Sequence, residues 1–319
     1  MRMRKIAILM GGNSAEKQVS IKSANTIYNN IDSSQYERYK VKFIENNIFT
    51  VEFNQHEIQL DITDFSFIYN KEKRYFDLIF IMIHGDPGEN GKLCSYFEKL
   101  NLPYTSCNQK TSQLTFNKSQ CNTLLNRMGY KVPILYDIKT LDNITLPCII
   151  KPVNTGSSFG VNKVNENKNI EAAIKDAQKY SDEIMIEEFI KGKELTCAVF
   201  NFKDNKSHIT TLPITEIISE NEIFDYDAKY NGKCQEITPA NISNHITENI
   251  KKISRNIYID LNLKGIIRID FILHNETPYI IEINTIPGFS EESIVPQMLR
   301  SANIQMKTFL SWQIASILH

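Results

Sequence analysis

Two aliphatic stretches near the C-terminus constrain this chain more than any other feature. Gly265-Ile-Ile-Arg-Ile-Asp-Phe-Ile-Leu273 and Tyr279-Ile-Ile-Glu-Ile-Asn-Thr-Ile-Pro-Gly288 alternate aliphatic residues with a few charged or amide ones. That alternation predicts two half-buried strands. A strand turns residues i and i+2 to one face, so Arg268 points with Asp270, and Glu282 with Asn284. Pairing through a turn at His274-Asn275-Glu276-Thr277 would converge two carboxylates, an amide and a guanidinium. Ionised carboxylates are seldom buried without a partner. Mg²⁺ suits them, because it is commonly held by one or two carboxylates and the phosphates of a substrate. On these residues alone, a solvated face on two edge strands is the competing reading.

At 319 residues the chain is long enough for two or three domains. Hydrophobic residues at 42% and charged residues at 23% are ordinary for a globular protein. A formal net charge of -1 gives no electrostatic footprint for nucleic acid, which is not expected as a partner. No apolar run reaches membrane-spanning length, and Ile6 to Met10 is too short for a signal-peptide core, so no membrane association is expected. Cys94, Cys107, Cys121, Cys148, Cys197 and Cys234 are scattered, with no C-x-x-C pair and no histidine at zinc-site spacing. That pattern fits a reducing, cytoplasmic setting.

Ile6-Ala-Ile-Leu-Met10 predicts a buried strand ending at Gly11-Gly12, and a helix follows from Ser14 with Glu16 and Ser20 early in it. Val19, Ile21 and Ile27 are the candidates for its buried side. The glycines either cradle a small anion or simply make a tight turn. Residues 41–75 suggest short strands and loops. Asp77 to Ile83 is a continuous apolar strand running into the fixed loop His84-Gly-Asp-Pro-Gly-Glu-Asn-Gly91, where α/β sheets keep their sites. A helix over 92–100 and a short strand at 102–105 complete a first α/β domain, residues 1–110. Over 111–190 the pattern gives a helix from Ser112 to Met128 carrying Lys118, and strands at 146–152 and 161–164. It adds a helix over 169–180 and a strand at 183–188. The loop Asn154-Thr-Gly-Ser-Ser-Phe-Gly160 offers amides and hydroxyls to phosphate, or is a flexible turn. Within 191–319, residues 195–217 form two strands, and Ser219 to Thr238 reads as a lid holding Phe224-Asp-Tyr-Asp-Ala-Lys-Tyr230. A helix over 243–260 precedes the two opening strands, and two more helices close the chain.

Taken in order, six of these pieces resemble the ATP-grasp superfamily and, within it, the D-alanine–D-alanine ligases. They are Gly11 to Ser20, His84-Gly-x-x-Gly-Glu89, Lys151-Pro-x-x-x-Gly-Ser-Ser-x-Gly160, Glu187-Glu-Phe-Ile-x-Gly-x-Glu194, Asp225-Tyr-x-Ala-Lys-Tyr230 and the opening pair of strands. The resemblance runs the length of the chain. It implies a three-domain ATP-grasp architecture, α/β with α+β character in the ATP-grasp region, behind a parallel-sheet N-terminal domain.

It also implies a reaction: ATP phosphorylates the carboxylate of one D-alanine, and the amine of a second attacks the acylphosphate. The dipeptide would serve peptidoglycan precursor synthesis; the alternative is that this chain is a related ATP-grasp ligase coupling D-alanine to D-serine, D-lactate or another amino acid. By the resemblance, Asp270, Glu282 and Asn284 bind two Mg²⁺ ions, or Mn²⁺ in their place. Arg268 and the backbone at Gly288 hold the developing oxyanion. Lys118 and Lys151 meet the phosphates, with Ser157 and Ser158 folding over them, while Glu187, Phe189, Ile190 and Glu194 line the adenine and ribose pocket. Glu16 grips the ammonium of the first D-alanine near His84. Ser157, Tyr230 and Glu16 form a hydrogen-bonded trio. Lys229 and Ser293 hold the second carboxylate, and Ile294 packs on its methyl group. The resemblance further implies a homodimer. The chain departs from the family pattern at Asn90, Thr155, Phe224 and Ile294.

Overall fold

The uninterrupted apolar run Ile6 to Met10 has no polar residue to spare for water, and it forms the heart of the strand Arg4–Gly11 inside a five-stranded sheet. A computed structural model describes residues 2–45, 48–202, 208–219 and 234–318. Arg4–Gly11 pairs in parallel with Tyr36–Phe43 on one side and Leu78–Ile81 on the other. Phe49–Phe53 and His56–Gln59 extend the sheet antiparallel beyond Tyr36–Phe43. Residues 102–105 contribute a single parallel bridge, Ile79 to Tyr104. Helix Lys17–Asn30 covers the sheet with Ser20, Ser23, Ala24 and Ile27. Val19 and Ile21, expected on that side, are only half-buried, because two small serines let the helix lie closer on the adjoining face.

The single helix expected over 112–128 is two: Gln109–Phe116 and Lys118–Arg127. Asn117 adopts an extended conformation between them, and its side chain accepts the N–H of Gln120 at 2.9 Å. Asn is a favoured N-cap because its short side chain competes for backbone donors. The break places Lys118 at the first position of the second helix, with its backbone N–H on Val153 O at 3.2 Å.

Residues 135–188 form an antiparallel four-stranded sheet in the order Asn162–Val164, Cys148–Pro152, Ile184–Glu188, Leu135–Tyr136, with helix Ile170–Ala177 packed on it. Where two strands were expected over 195–217 there are three, Lys193–Asn201, Ile209–Thr211 and Thr215–Ser219, since Leu212 and Ile214 are spent on a buried connection. They belong to a six-stranded antiparallel sheet with Cys234–Ile237, Ile267–His274 and Thr277–Asn284. Helix Asn244–Asp260, capped by Ser243, turns Ile246, Ile250 and Ile257 into a core shared with Phe271, Ile280 and Ile283.

After Asn284 the chain returns to the first layer. Ile286, Phe289 and Ile294 share one hydrophobic cluster with Ile6, Ile8 and Leu78, as do Met298 and Phe309 on helices Ile294–Ser301 and Met306–Leu318. Phe289 N–H donates to the buried Ser23 Oγ at 2.9 Å, which fixes this return. Among the described residues no helix is long and apolar enough to cross a membrane.

Candidate active site

The hairpin Ile267–His274 and Thr277–Asn284 turns through Asn275 and Glu276, whose φ values of 44° and 64° suit a two-residue type I′ loop. Continued without interruption, the pairing His274 to Thr277 would set Asp270 opposite Ile281 and send Glu282 to the other face. That does not happen. The register shifts between Asp270 and Phe271, so that Phe271 pairs with Ile280 but Asp270 pairs with Glu282 and Arg268 with Asn284. Ile281 is the extra residue of a β-bulge, a device common beside active sites. The convergence expected from alternation alone therefore depends on a bulge that alternation does not reveal.

The resulting cluster is dense. Arg268 donates to both Asp270 oxygens, Nε to Oδ1 at 2.9 Å and Nη2 to Oδ2 at 2.8 Å. Asn284 Nδ2 donates to Asp270 Oδ2 at 3.0 Å and to Glu282 Oε1 at 3.4 Å. Lys118 Nζ lies 3.4 Å from Glu282 Oε2 and donates to Thr155 O at 2.5 Å. Burial works against the charge on Arg268, but Asp270 foremost, with Glu282 and Glu89, raises its pKa above the usual value.

Facing this floor, Lys151 from Cys148–Pro152 donates to Glu187 Oε1 on the neighbouring strand; both side chains are about 5% exposed. Lys163 Nζ sits 4.0 Å from the ring centre of Phe189. These elements enclose a cavity of about 1000 Å³. Its walls include Lys118, Lys151, Ser157 and Ser158 at one end, Glu187, Phe189, Ile190 and Glu194 along the side, and Arg268, Asp270, Glu282 and Ile294 on the floor. Twelve of the expected site residues thus share one cavity.

Glu16, His84, Asn284, Gly288 and Ser293 lie outside its walls. Glu16 nonetheless joins the site, since Ser157 Oγ donates to Glu16 Oε1. Ser157 and Ser158 hold positive φ, 54° and 56°, and a Cβ at Gly156 would stand 2.5 Å from Glu16 Oε2. A side chain there would have to push the Glu16 carboxylate aside. His84 is buried, with Nδ1 2.8 Å from Ile286 O and its carbonyl accepting Ser14 Oγ at 2.8 Å. Gly288 and Ser293 are neighbours: a Cβ at Gly288 would lie 2.9 Å from Ser293 Oγ, which also meets Ser290 Oγ at 2.7 Å. Lys229 and Tyr230 lie outside the described residues, as does Phe224.

Sequence reasoning passed over Glu89 and Thr196. Glu89 Oε2 accepts the Gly85 N–H at 2.8 Å, and burial, reinforced by the charge of Glu16, pushes its carboxyl up to about 7. Its place in His84-Gly-x-x-Gly-Glu89 was the available signal. Thr196, fully buried, donates to Asp270 Oδ1 at 2.5 Å from the strand beside it. No alternation pattern singles out such a residue.

Among the described residues no group of three or more His, Cys, Asp or Glu side chains could hold a metal ion. Asp270 and Glu282 supply two carboxylates and Asn284 an amide. An oxygen set with only two anions fits a hard cation that completes its shell with phosphate and water, as Mg²⁺ does. It lacks the histidine and cysteine donors that zinc sites usually carry.

Comparison with known proteins bears on the same residues. The family model described as D-ala D-ala ligase C-terminus matches residues 133–315, and that described as D-ala D-ala ligase N-terminus matches residues 5–107. The D-alanine–D-alanine ligase of Flavobacterium johnsoniae is 41% identical over 314 residues, covering 96% of each chain. That of Phocaeicola vulgatus is 42% identical over 318 residues, covering 97% of each. Among solved structures, the VanG D-Ala:D-Ser ligase from Enterococcus faecalis superimposes with a TM-score of 0.87 at 27% identity, covering 99% of each chain. The D-alanine–D-alanine ligase from Bacillus anthracis complexed with ATP gives a TM-score of 0.79 at 26% identity, covering 99% of this chain and 97% of its own. The chain belongs to the D-alanine–D-alanine ligase family.

Proposed function

We propose that this chain joins two D-alanines to D-alanyl-D-alanine, converting ATP to ADP and phosphate, as a step in peptidoglycan precursor synthesis. The observation that carries this reading is the single cavity in which Lys118, Lys151, Ser157 and Ser158 face Arg268, Asp270 and Glu282. Without nucleotide, six of the charged groups there balance, three cations (Lys118, Lys151, Arg268) against three carboxylates (Glu187, Asp270, Glu282), each paired within the set. Exchange of partners, and not creation of new charge, is then what ATP binding asks of them. Lys118 and Lys151 turn to the phosphates, and Glu187 is released toward the exocyclic amine of adenine. Phe189 and Ile190 supply the apolar walls of that pocket, and Glu194 accepts from the ribose hydroxyls.

Asp270, Glu282 and Asn284 would hold two Mg²⁺ ions, or Mn²⁺ in their place; bound there, the metal would offset charge on the phosphate oxygens. In the first step a carboxylate oxygen of one D-alanine attacks the terminal phosphorus of ATP, and the bond to ADP breaks. In the second, the amine nitrogen of the other D-alanine attacks the acyl carbon. The C–N bond forms, the carbon–oxygen bond to phosphate breaks, and the proton lost by the amine ends on the released phosphate. Arg268 and the Gly288 backbone hold the oxygen on which charge develops, and such prepositioned donors are usually the largest single contribution to the rate. Glu16, beside His84, receives the ammonium of the first D-alanine, and Ser157 carries the loop to Glu16. Tyr230 completes that trio, Lys229 and Ser293 take the second carboxylate, and Ile294 packs on its methyl group.

The units 1–110, 111–190 and 191–319 are the three parts that close on substrates in this scheme, in a cytoplasmic homodimer. The test is isotopic. With D-alanine labelled with ¹⁸O in its carboxylate, ATP and Mg²⁺, one labelled oxygen should pass to the released phosphate while D-alanyl-D-alanine forms. Unlabelled phosphate would remove the acylphosphate. Offering D-serine or D-lactate beside D-alanine reads acceptor choice, and preference for either over D-alanine would reassign the substrate.

A further inference from the structure

We propose that Thr196 is a positioning residue that keeps the Asp270 carboxylate aimed at the cation when Asn284 turns its amide oxygen to the metal. The inference rests on the cation assignment of Asp270 made above. Thr196 sits on Lys193–Asn201 with its Cα directly across the ladder from that of Asp270, and it is fully buried. Its hydroxyl donates to Asp270 Oδ1 at 2.5 Å, while its other acceptor, Ile269 O, is 3.4 Å away and at the edge of hydrogen-bond range.

An ionised carboxylate offers about four lone-pair positions. Asp270 receives Thr196 Oγ1 and Arg268 Nε on Oδ1, and Arg268 Nη2 and Asn284 Nδ2 on Oδ2. Three of these four contacts come from groups with work elsewhere in the reaction. Arg268 is assigned to the oxyanion, and Asn284 can serve a cation only by presenting its amide oxygen in place of Nδ2. Arg268 holds Asp270 through Nε and Nη2 and keeps other N–H groups for the oxyanion, but the turn of Asn284 takes a donor from Asp270. Thr196 has no second role to draw it away, because it is absent from the cavity walls and its branched side chain has few χ1 choices. It also grips Oδ1, leaving Oδ2, the oxygen that shares Asn284 Nδ2 with Glu282, toward the second carboxylate. Outer-sphere partners of metal-binding carboxylates typically change metal affinity by about 10- to 100-fold when removed.

Mn²⁺ is the probe, titrated by water-proton relaxation into the full-length protein with ADP saturating, alongside ADP affinity without metal. Thr196→Val matches the original shape and lacks the hydroxyl; it should raise the Mn²⁺ dissociation constant about tenfold or more and leave metal-free ADP binding unchanged. Thr196→Ser should restore the wild-type value. Thr196→Ala, which adds no bulk, gives the same reading if valine disturbs the packing. Wild-type Mn²⁺ affinity in Thr196→Val or Thr196→Ala, or failure of Thr196→Ser to restore it, would overturn the proposal. Asp270→Asn separates the two claims: wild-type Mn²⁺ binding there would remove the cation assignment itself, whereas lost binding there with none lost in Thr196→Val removes only the role of Thr196.

Discussion

In the hairpin Ile267–His274 and Thr277–Asn284, each functional side chain meets its partner along the backbone ladder, whereas the loop over 154–160 reaches Glu16 across 141 residues through one hydroxyl. The floor of the cavity needs only the strand register and the bulge at Ile281 to bring Asp270, Glu282 and Asn284 together. The rim needs two serines at positive φ and a glycine without a Cβ, a conformation that L-residues adopt at a cost. A floor built into a six-stranded sheet stands ready before substrate arrives. A rim held by side-chain contacts such as Ser157 to Glu16 and Lys118 to Thr155 O can be released and remade, as a site that must admit ATP and two amino acids requires.

The largest expected effect falls on the floor. Glu282→Gln leaves the register intact but removes a charge, so dipeptide formation should fall by roughly 100-fold or more, with an unchanged far-ultraviolet circular dichroism spectrum. Full turnover in that variant would take Glu282 out of the chemistry. Next comes the wall between floor and rim. Lys151→Met strands the Glu187 carboxylate in a buried position and should destabilise the protein by about 3–5 kcal/mol in urea unfolding. The double variant Lys151→Met/Glu187→Leu should recover most of that stability without recovering ATP binding. Equal stability of wild type and single variant would show that the pair is not desolvated.

At the rim, Gly156→Ala puts a methyl group against Glu16 Oε2 and should lower kcat about tenfold, with little change in melting temperature. An unchanged kcat would mean that the close approach of loop and helix is dispensable. Deleting Ile281 should cost less. It removes the extra residue yet leaves Phe271 facing Ile280 and Asp270 facing Glu282 in a regular ladder, so turnover should stay within about tenfold of wild type. A loss as large as that of Glu282→Gln in a folded deletion variant would show that the bend at the bulge, beyond the register, aims the carboxylates.

The smallest effect concerns pH. Burial and the charge of Glu16 raise the Glu89 carboxyl from 4.5 to about 7. Between those values the folded protein holds a proton that the unfolded chain has released, so this group makes stability fall as pH rises from about 4.5 to 7. Glu89→Gln should flatten that part of the melting-temperature profile, measured without nucleotide or metal. A steeper decline in the variant would reverse the sign assigned here.

The same contrast explains what could be read in advance. Alternation over 265–273 and 279–288 identified both floor strands and their turn, because a half-buried strand imposes period two on its sequence. It did not disclose the bulge, since Ile281 is as aliphatic as Ile280 and Ile283 and only the ladder shows which is extra. Asn117 hid a helix break for a similar reason: an asparagine inside a helical pattern and one that caps a new helix look alike until its side chain meets Gln120 N–H. The partnership of Ser157 with Glu16 left no local pattern at all, and resemblance to known ligases was its sole signal. Thr196 could be found only once the strand Lys193–Asn201 was laid beside Asp270.

Coupled product formation tests the ligase reading most directly. Incubated with ATP, Mg²⁺ and D-alanine alone, the protein should release phosphate and D-alanyl-D-alanine in equal amounts, and neither when D-alanine is omitted. Phosphate released without dipeptide, or no phosphate at all, would contradict it.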